Sequence, residues 1–349
     1  MLSYHITKAK SLIANLLYLP DDYTGLDFPT IYWGKLSDDI PDIRPGYSFL
    51  SEVRNIFMSE KNGFLYKKVR NNPDLAKAWY DNETEAINHT TLNAYGEKLE
   101  KFRNLLFGLI HFTYGQPGCG TEVSNIRFEN TSTPRNIIID RGLVAIRTSY
   151  HKMMLQTEQA KNIYRYLPPC IGEFLVYCLW LVLPFWQTMK GYTLESKKIS
   201  KFLWSKSCVY PLNAEVTRME LWDTAKLSSI LNSMTKSTMG VEMNISSWRH
   251  IAIAISRRFL KQAFSDPTDN DNVGDNVHDQ VNQILPRNLN NVYDFQASHS
   301  VRTAYRTYAV PINRPNDTPM DMIDAFRHVS IEWHKLLTLI PCYGDGKEH

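Results

Sequence analysis

Asn136-Ile137-Ile138-Ile139-Asp140-Arg141-Gly142-Leu143-Val144-Ala145-Ile146-Arg147-Thr148 holds two β-rich runs, Asn136 to Asp140 and Leu143 to Thr148, hinged on Arg141-Gly142. Two apolar runs separated by a two-residue break ending in glycine predict a tight hairpin. A third run, Lys161-Asn162-Ile163-Tyr164-Arg165-Tyr166-Leu167, stops at Pro168-Pro169 and extends the hairpin to three strands. Outward from this sheet the periodicity turns helical. Upstream, Leu99, Phe102, Leu106, Leu109 and Ile110 recur at helical spacing from Tyr95 and stop before Tyr114-Gly115-Gln116-Pro117-Gly118; Thr121-Glu122 then opens a short apolar segment through Ile126. Downstream, Ile251, Ile253, Ile255 and Phe259, with alanines between, are apolar on too many faces for a surface helix, so this helix is expected to be central, with Ser246 or Ser247 as its cap. Met322, Phe326, Val329, Trp333, Leu336 and Leu337 mark a last helix that starts at Thr318-Pro319. The expected class is mainly α with a small antiparallel three-stranded sheet, α+β.

Composition narrows the function classes. The 349 residues are 43% hydrophobic and 21% charged, a globular balance with enough chain for a large core. Net charge is only +3, so nucleic-acid binding would have to come from local basic faces. Three clusters qualify: Lys61, Lys67, Lys68 and Arg70; Lys197, Lys198, Lys201 and Lys206; and Arg257, Arg258 and Lys261. Each also reads as ordinary solvated helix surface. Five cysteines form neither a paired framework nor a metal spacing, which points to a reducing compartment. The start lacks the apolar core of a secretory signal, so the sequons at Asn82 and Asn130 read as chance. Ile171 to Trp186 is apolar but contains Glu173 and Pro184 and is short for a membrane span; a buried core helix is expected, and no membrane partner.

Three parts are expected along the chain. Residues 1–90, aromatic and turn-rich, read as a helical arm or partial DNA-binding region, with Pro41 to Gly46 as a turn. Residues 91–340 form the main domain, interrupted at 264–280 by a flexible acidic insert, and 341–349 form a tail. The insert lacks the ligand order and closing glutamate of a calcium loop, and no metal or cofactor is expected. Gly344-Asp345-Gly346-Lys347 lacks the residues of a phosphate-binding loop.

Chemistry concentrates in two places. Trp248-Arg249-His250 heads an apolar helix, where backbone amides and the helix dipole favour anions and a guanidinium can fork onto phosphate oxygens. Fifty residues on, His299 in Gln296-Ala297-Ser298-His299 precedes Tyr308 in Tyr305-Arg306-Thr307-Tyr308 by nine residues. A phosphodiester gripped by the imidazole could be attacked by the phenol. The competing reading makes His299 a packing residue and Tyr308 a core tyrosine.

Taken in chain order, these motifs resemble the catalytic domain of the tyrosine recombinases. Arg249-His250 matches the family's second box, and Ser298-His299 with Tyr308 nine residues on matches its third. Lys152 stands where the family carries its β-hairpin lysine, the acid for the leaving hydroxyl, and Arg165-Tyr166-Leu167-Pro168 looks like its exit from the third strand. Gly46-Tyr47-Ser48-Phe49-Leu50, Tyr164 to Pro168, Trp180 to Phe185 and Trp248 to Arg258 are similar to a recombinase-like domain of filamentous fungi. That domain occurs in mobile-element relics and upstream of RecQ-type helicase modules. The resemblance spans about residues 46–340.

Two positions depart from the family. Cys119 stands where its first arginine is expected, three residues before Glu122, and Ser246 replaces the histidine three residues before Arg249. Losing one preorganised donor to the reacting oxygens costs about 3 to 4 kcal/mol, roughly 10²- to 10³-fold in rate. Arg127, Arg147 or His250 are the residues that could compensate. The resemblance implies a nuclear, double-stranded-DNA-binding protein that cuts through a 3′-phosphotyrosine, with catalysis impaired and with homo-oligomers forming on DNA. Its implied catalytic residues are Tyr308, Arg249, His299 and Lys152, and Lys198, Lys201, Arg257 and Arg258 are expected DNA contacts. The other reading is a noncatalytic DNA-docking or protein-interaction module that accompanies a helicase partner.

Overall fold

A computed structural model describes residues 1–81, 83–150, 161–193, 197–207, 209–211, 221–260, 292–293, 296 and 320–339. The chain begins with helix α1 (Leu2–Leu16), followed by the short helices α2 (Ile56–Glu60), α3 (Phe64–Asn71) and α4 (Pro73–Trp79). The long helix α5 (His89–Thr113) then crosses the centre of the molecule and leads into α6 (Gly120–Ser124). Strands β1 (Ile137–Asp140), β2 (Leu143–Tyr150) and β3 (Lys161–Tyr166) come next, then α7 (Pro169–Gly191), the short pair β4 (Lys197–Ile199) and β5 (Val209–Pro211), and helices α8 (Thr224–Met239), α9 (Ile245–Ile255) and α10 (Met320–Leu336).

The sheet is antiparallel in the order β1-β2-β3, and Ile137 faces Ile146 while Ile146 faces Arg165. Arg141 and Gly142 turn the hairpin with φ of 47° and 74°; positive φ at both positions matches the right-handed twist of the flanking strands, and Gly142 adopts it without steric cost. The fold is therefore mainly helical with a three-stranded antiparallel sheet. The additional β4-β5 pair has no counterpart among the sequence expectations. α7 packs on β2 and α10 along β3, so the sheet is sandwiched by helices.

Residues 1–90 share one apolar core with the rest of the described chain. Ala9, Ile13 and Leu16 of α1 and Trp79 of α4 join Leu92, Tyr95 and Leu99 of α5. Polar contacts lock the same junction: the Tyr95 hydroxyl donates to Leu16 O at 3.0 Å, and His5 Nε2 lies 3.1 Å from Met234 O on α8. Arg135, at the entry to β1, forms a fully buried ion pair with Asp38, whose second oxygen accepts from Ile139 N at 2.9 Å. A buried charge pair needs its remaining donors and acceptors met, and here Asp39 O and Asp42 O also take Arg135 protons, leaving only Nε of the guanidinium without a hydrogen-bond partner among the described residues.

Three elements differ from their sequence readings in extent or exposure, while the expected burial of the Ile171–Trp186 helix holds. α5 starts six residues before Tyr95, because Asn88 accepts from Thr90 N and Thr91 N and so caps it. α7 runs 23 residues, long and apolar enough to cross a membrane by length and composition, but 72% of its most apolar window is buried in this protein. It continues past Pro184 through a π turn at Cys178–Val182, which accommodates the missing proline N–H. α9 is half-exposed rather than central: Trp248, Ala252 and Ile253 are buried, whereas Ile251 is 38% and Phe259 55% exposed. Its cap is Asn244, which accepts from Ser247 N at 2.8 Å; Ser246 and Ser247 lie inside the first turn. Thr318, Pro319, the 264–280 insert and the 341–349 tail lie outside the described residues.

Candidate functional site

The C-terminal end of α5 organises the site. The last carbonyls of a helix have no partner within it. Two of them accept indole protons from other helices: Trp248 Nε1 of α9 donates to His111 O at 3.2 Å, and Trp333 Nε1 of α10 donates to Phe112 O at 3.0 Å. The rings pack as well, with Phe112 edge-on to Trp248 at 4.8 Å between centroids. Arg249 is thus carried by a helix fixed directly to the end of α5.

Beyond α5 the chain turns through Gly115, at φ +113°, where an added Cβ would lie 2.5 Å from Gln296 Oε1. Only glycine combines that backbone with so close an approach. Cys119 is next, as the N-cap of α6, with its amide donating to Glu122 Oε2 at 3.2 Å. Cys119 is partly exposed, and its sulfur lies 3.2 Å from Thr121 Oγ1.

Arg165 joins these segments. Its side chain is fully buried, at the position of β3 opposite Ile146. Nε donates to Gln116 O at 2.7 Å, Nη1 to Thr148 Oγ1 at 2.7 Å, and Nη2 to Gln296 O at 2.6 Å. Among the described residues Glu122 is its nearest carboxylate at 3.9 Å, and the Tyr114 ring lies under the guanidinium. Gln296 completes the knot: its Oε1 accepts from Gln116 N at 2.8 Å, and its Nε2 donates to Tyr164 O at 2.9 Å and to Ser330 Oγ at 3.2 Å. One arginine therefore ties together the loop holding Cys119, the hairpin, and the residue three before His299 in sequence.

The electrostatics arise from burial. The His111 imidazole is pushed down to about 3, first by complete burial and then by the positive charges of Arg165 and Arg249, so it stays neutral. Its Nε2 has no hydrogen-bond partner among the described residues. Tyr114 is raised by burial, partly offset by Arg165 and by its bond from Gly118 N. Two guanidinium groups from separate elements thus bear on one neutral histidine at the end of α5.

The other expected residues are more scattered. Arg249 is partly buried, and Ser246 and His250 are exposed on the first turns of α9. Arg147 is buried and donates to Arg135 O at 3.1 Å. It pairs in register with Tyr164, one position from the Ile146–Arg165 pair, and so lies on the sheet face opposite Arg165. Arg127 stands over the Phe202 ring at 5.5 Å. Lys201 is ion-paired with Glu129 at 2.5 Å. Lys198 is on β4 opposite Tyr210, and Arg257 and Arg258 are exposed on the π turn that continues α9. Lys152, His299, Tyr305 and Tyr308 lie outside the described residues. No group of three or more potential metal ligands occurs among the described residues.

Sequence reading missed His111, Gln116 and Gln296 as members of the site. Arg165 carried a usable signal: a lone cation inside the apolar run Ile163 to Leu167 must be paired if it is buried. Gln296 carried none, since Gln116, Tyr164 and Arg165 lie more than a hundred residues away and Ser330 lies 34 away.

No protein-family model matches the chain, and neither the curated proteins nor the solved structures contain a match.

Proposed function

We propose that this is a DNA-binding protein with a tyrosine-recombinase-like site whose strand-cleaving ability is impaired. What supports the reading is the knot at Arg165. The loop that leads to the position of the family's first arginine, the hairpin and the chain segment entering the His299 motif are remote in sequence, yet Gln116, Thr148 and Gln296 from these three segments all accept from this one side chain. Trp248, the residue before Arg249 on α9, donates to His111 O, and the charge of Arg249 bears on the same His111 ring as that of Arg165.

In this reading Arg249 forks onto the nonbridging oxygens of a phosphodiester and His299 supplies a further donor. Tyr308 gives up its phenol proton to solvent water and forms the new bond to phosphorus, the P–O5′ bond breaks, and Lys152 protonates the departing 5′ oxygen. Cys119 adds no positive charge, and Ser246 is a poor acceptor for the phenol proton, so the transition state lacks two services. Arg147 is committed to Arg135 O across the sheet and is a poor substitute. His250, exposed beside Arg249, is the better placed of the compensating residues. A nuclear location and assembly of copies on DNA belong to the same proposal.

The test is binding of a mixed-sequence duplex at 50 and 200 mM salt. Phosphate contacts predict a fall of tenfold or more, and a smaller salt slope for Arg249→Ala. A salt-independent affinity would instead favour the second reading, a protein-interaction module accompanying a helicase.

A further inference from the structure

We propose that the groove between α3 and the π turn of α7 takes an unpaired base of a single-stranded nucleic acid, with the flanking phosphates held by Lys61, Lys67 and Arg70. The proposal goes beyond the recombinase reading, because the groove contains none of the residues of the Arg249 site. The cavity has a volume of about 340 Å³, and its walls include Phe64, Tyr66, Trp180, Phe185 and Tyr192. Aromatic walls suit a flat heterocycle, for which ring stacking is a sequence-tolerant source of affinity. Trp180 is fixed by its Nε1 bond to Met58 O at 3.0 Å, which makes that wall rigid, while Tyr192 at the mouth is 62% exposed.

The rim supplies the charge. Among the described residues, no carboxylate lines the groove. Lys61 and Lys68 stand over the Phe64 ring at 5.9 and 5.8 Å, and Arg70 over Tyr66 at 5.7 Å and Tyr80 at 4.0 Å. Lys68 also donates to Leu17 O, whereas Lys61, Lys67 and Arg70 are exposed. The Phe64 ring holds Lys61 at the groove edge and the Tyr66 ring holds Arg70 beside that wall, with Lys67 exposed on the same helix as Arg70, so a polyanion threaded along α3 would meet them. An acidic peptide would meet the same charges, but the flat aromatic walls favour a base over branched aliphatic anchors.

The experiment measures fluorescence anisotropy of a twelve-nucleotide oligothymidine and of a mixed-sequence duplex with the full chain, checking each variant for an unchanged melting temperature. Tyr192→Ala is expected to weaken oligothymidine about tenfold while leaving duplex affinity unchanged. Lys61→Glu with Lys67→Glu is expected to weaken oligothymidine and to reduce its salt slope. Absence of oligothymidine binding, or full binding by both variants, overturns the proposal. So does Tyr192-dependent binding of an acidic leucine-rich peptide when oligothymidine does not bind. Tyr192-dependent oligothymidine binding without duplex binding would sustain the groove and remove the recombinase reading.

Discussion

Arg165 shows how much one side chain can organise when it is buried. A guanidinium offers five donors in a fixed fork, and here three protein acceptors take three of them, with Glu122 and the Tyr114 ring completing the surroundings. Lysine could not span the same acceptors. The buried histidines have the opposite role, because they must remain neutral. Burial pushes His111 down to about 3 and His334 down to about 4, against about 6.5 for a free imidazole. Between pH 6.5 and 4 the unfolded chain therefore binds protons that the folded chain refuses. Their contribution to stability is complete above pH 6.5 and is lost as pH falls, at about 1.4 kcal/mol per pH unit for each group. Urea unfolding at pH 7, 6 and 5 should show this decline, and His111→Gln should remove about one group's share of the slope. An unchanged slope would mean that His111 titrates normally in the fold.

At the scale of elements, the α9 cap offers a clear measurement. Asn244 bonds both the amide and the hydroxyl of Ser247, so Asn244→Ala should cost about 1 kcal/mol in urea unfolding, whereas Ser246→Ala should stay within about 0.5 kcal/mol. The reverse order would restore Ser246 as the cap. Elements written as local patterns were legible in the sequence: the Arg141-Gly142 hairpin, the third strand ending at Pro168, and the body of α5. What failed depended on tertiary context. The half-exposure of α9 reflects which of its faces meets Phe112 and Trp333, and β4 and β5 are three-residue strands without a clear alternating pattern. The site divides in the same way. The spacing of Cys119 to Glu122 and the place of Arg249 on a helix were readable, while the bonds that bring Gln296 to Arg165 were not, because they run through backbone carbonyls remote in sequence.

At the scale of the whole molecule, the N-terminal 90 residues, the sheet and the helices from α5 onward form a continuous core, and the buried Asp38–Arg135 pair fastens the first part to the sheet. The site therefore rests on a scaffold built from both ends of the described chain. If it is a recombinase site lacking two groups, restoring them should restore chemistry. The direct measurement is covalent capture of a nicked suicide duplex, resolved by denaturing electrophoresis, for the wild-type chain and for Cys119→Arg combined with Ser246→His. Little or no adduct is expected with the wild type and a clear adduct with the double variant, abolished by Tyr308→Phe. No adduct from a folded, duplex-binding double variant, or as much from the wild type as from that variant, would contradict the impaired-recombinase reading.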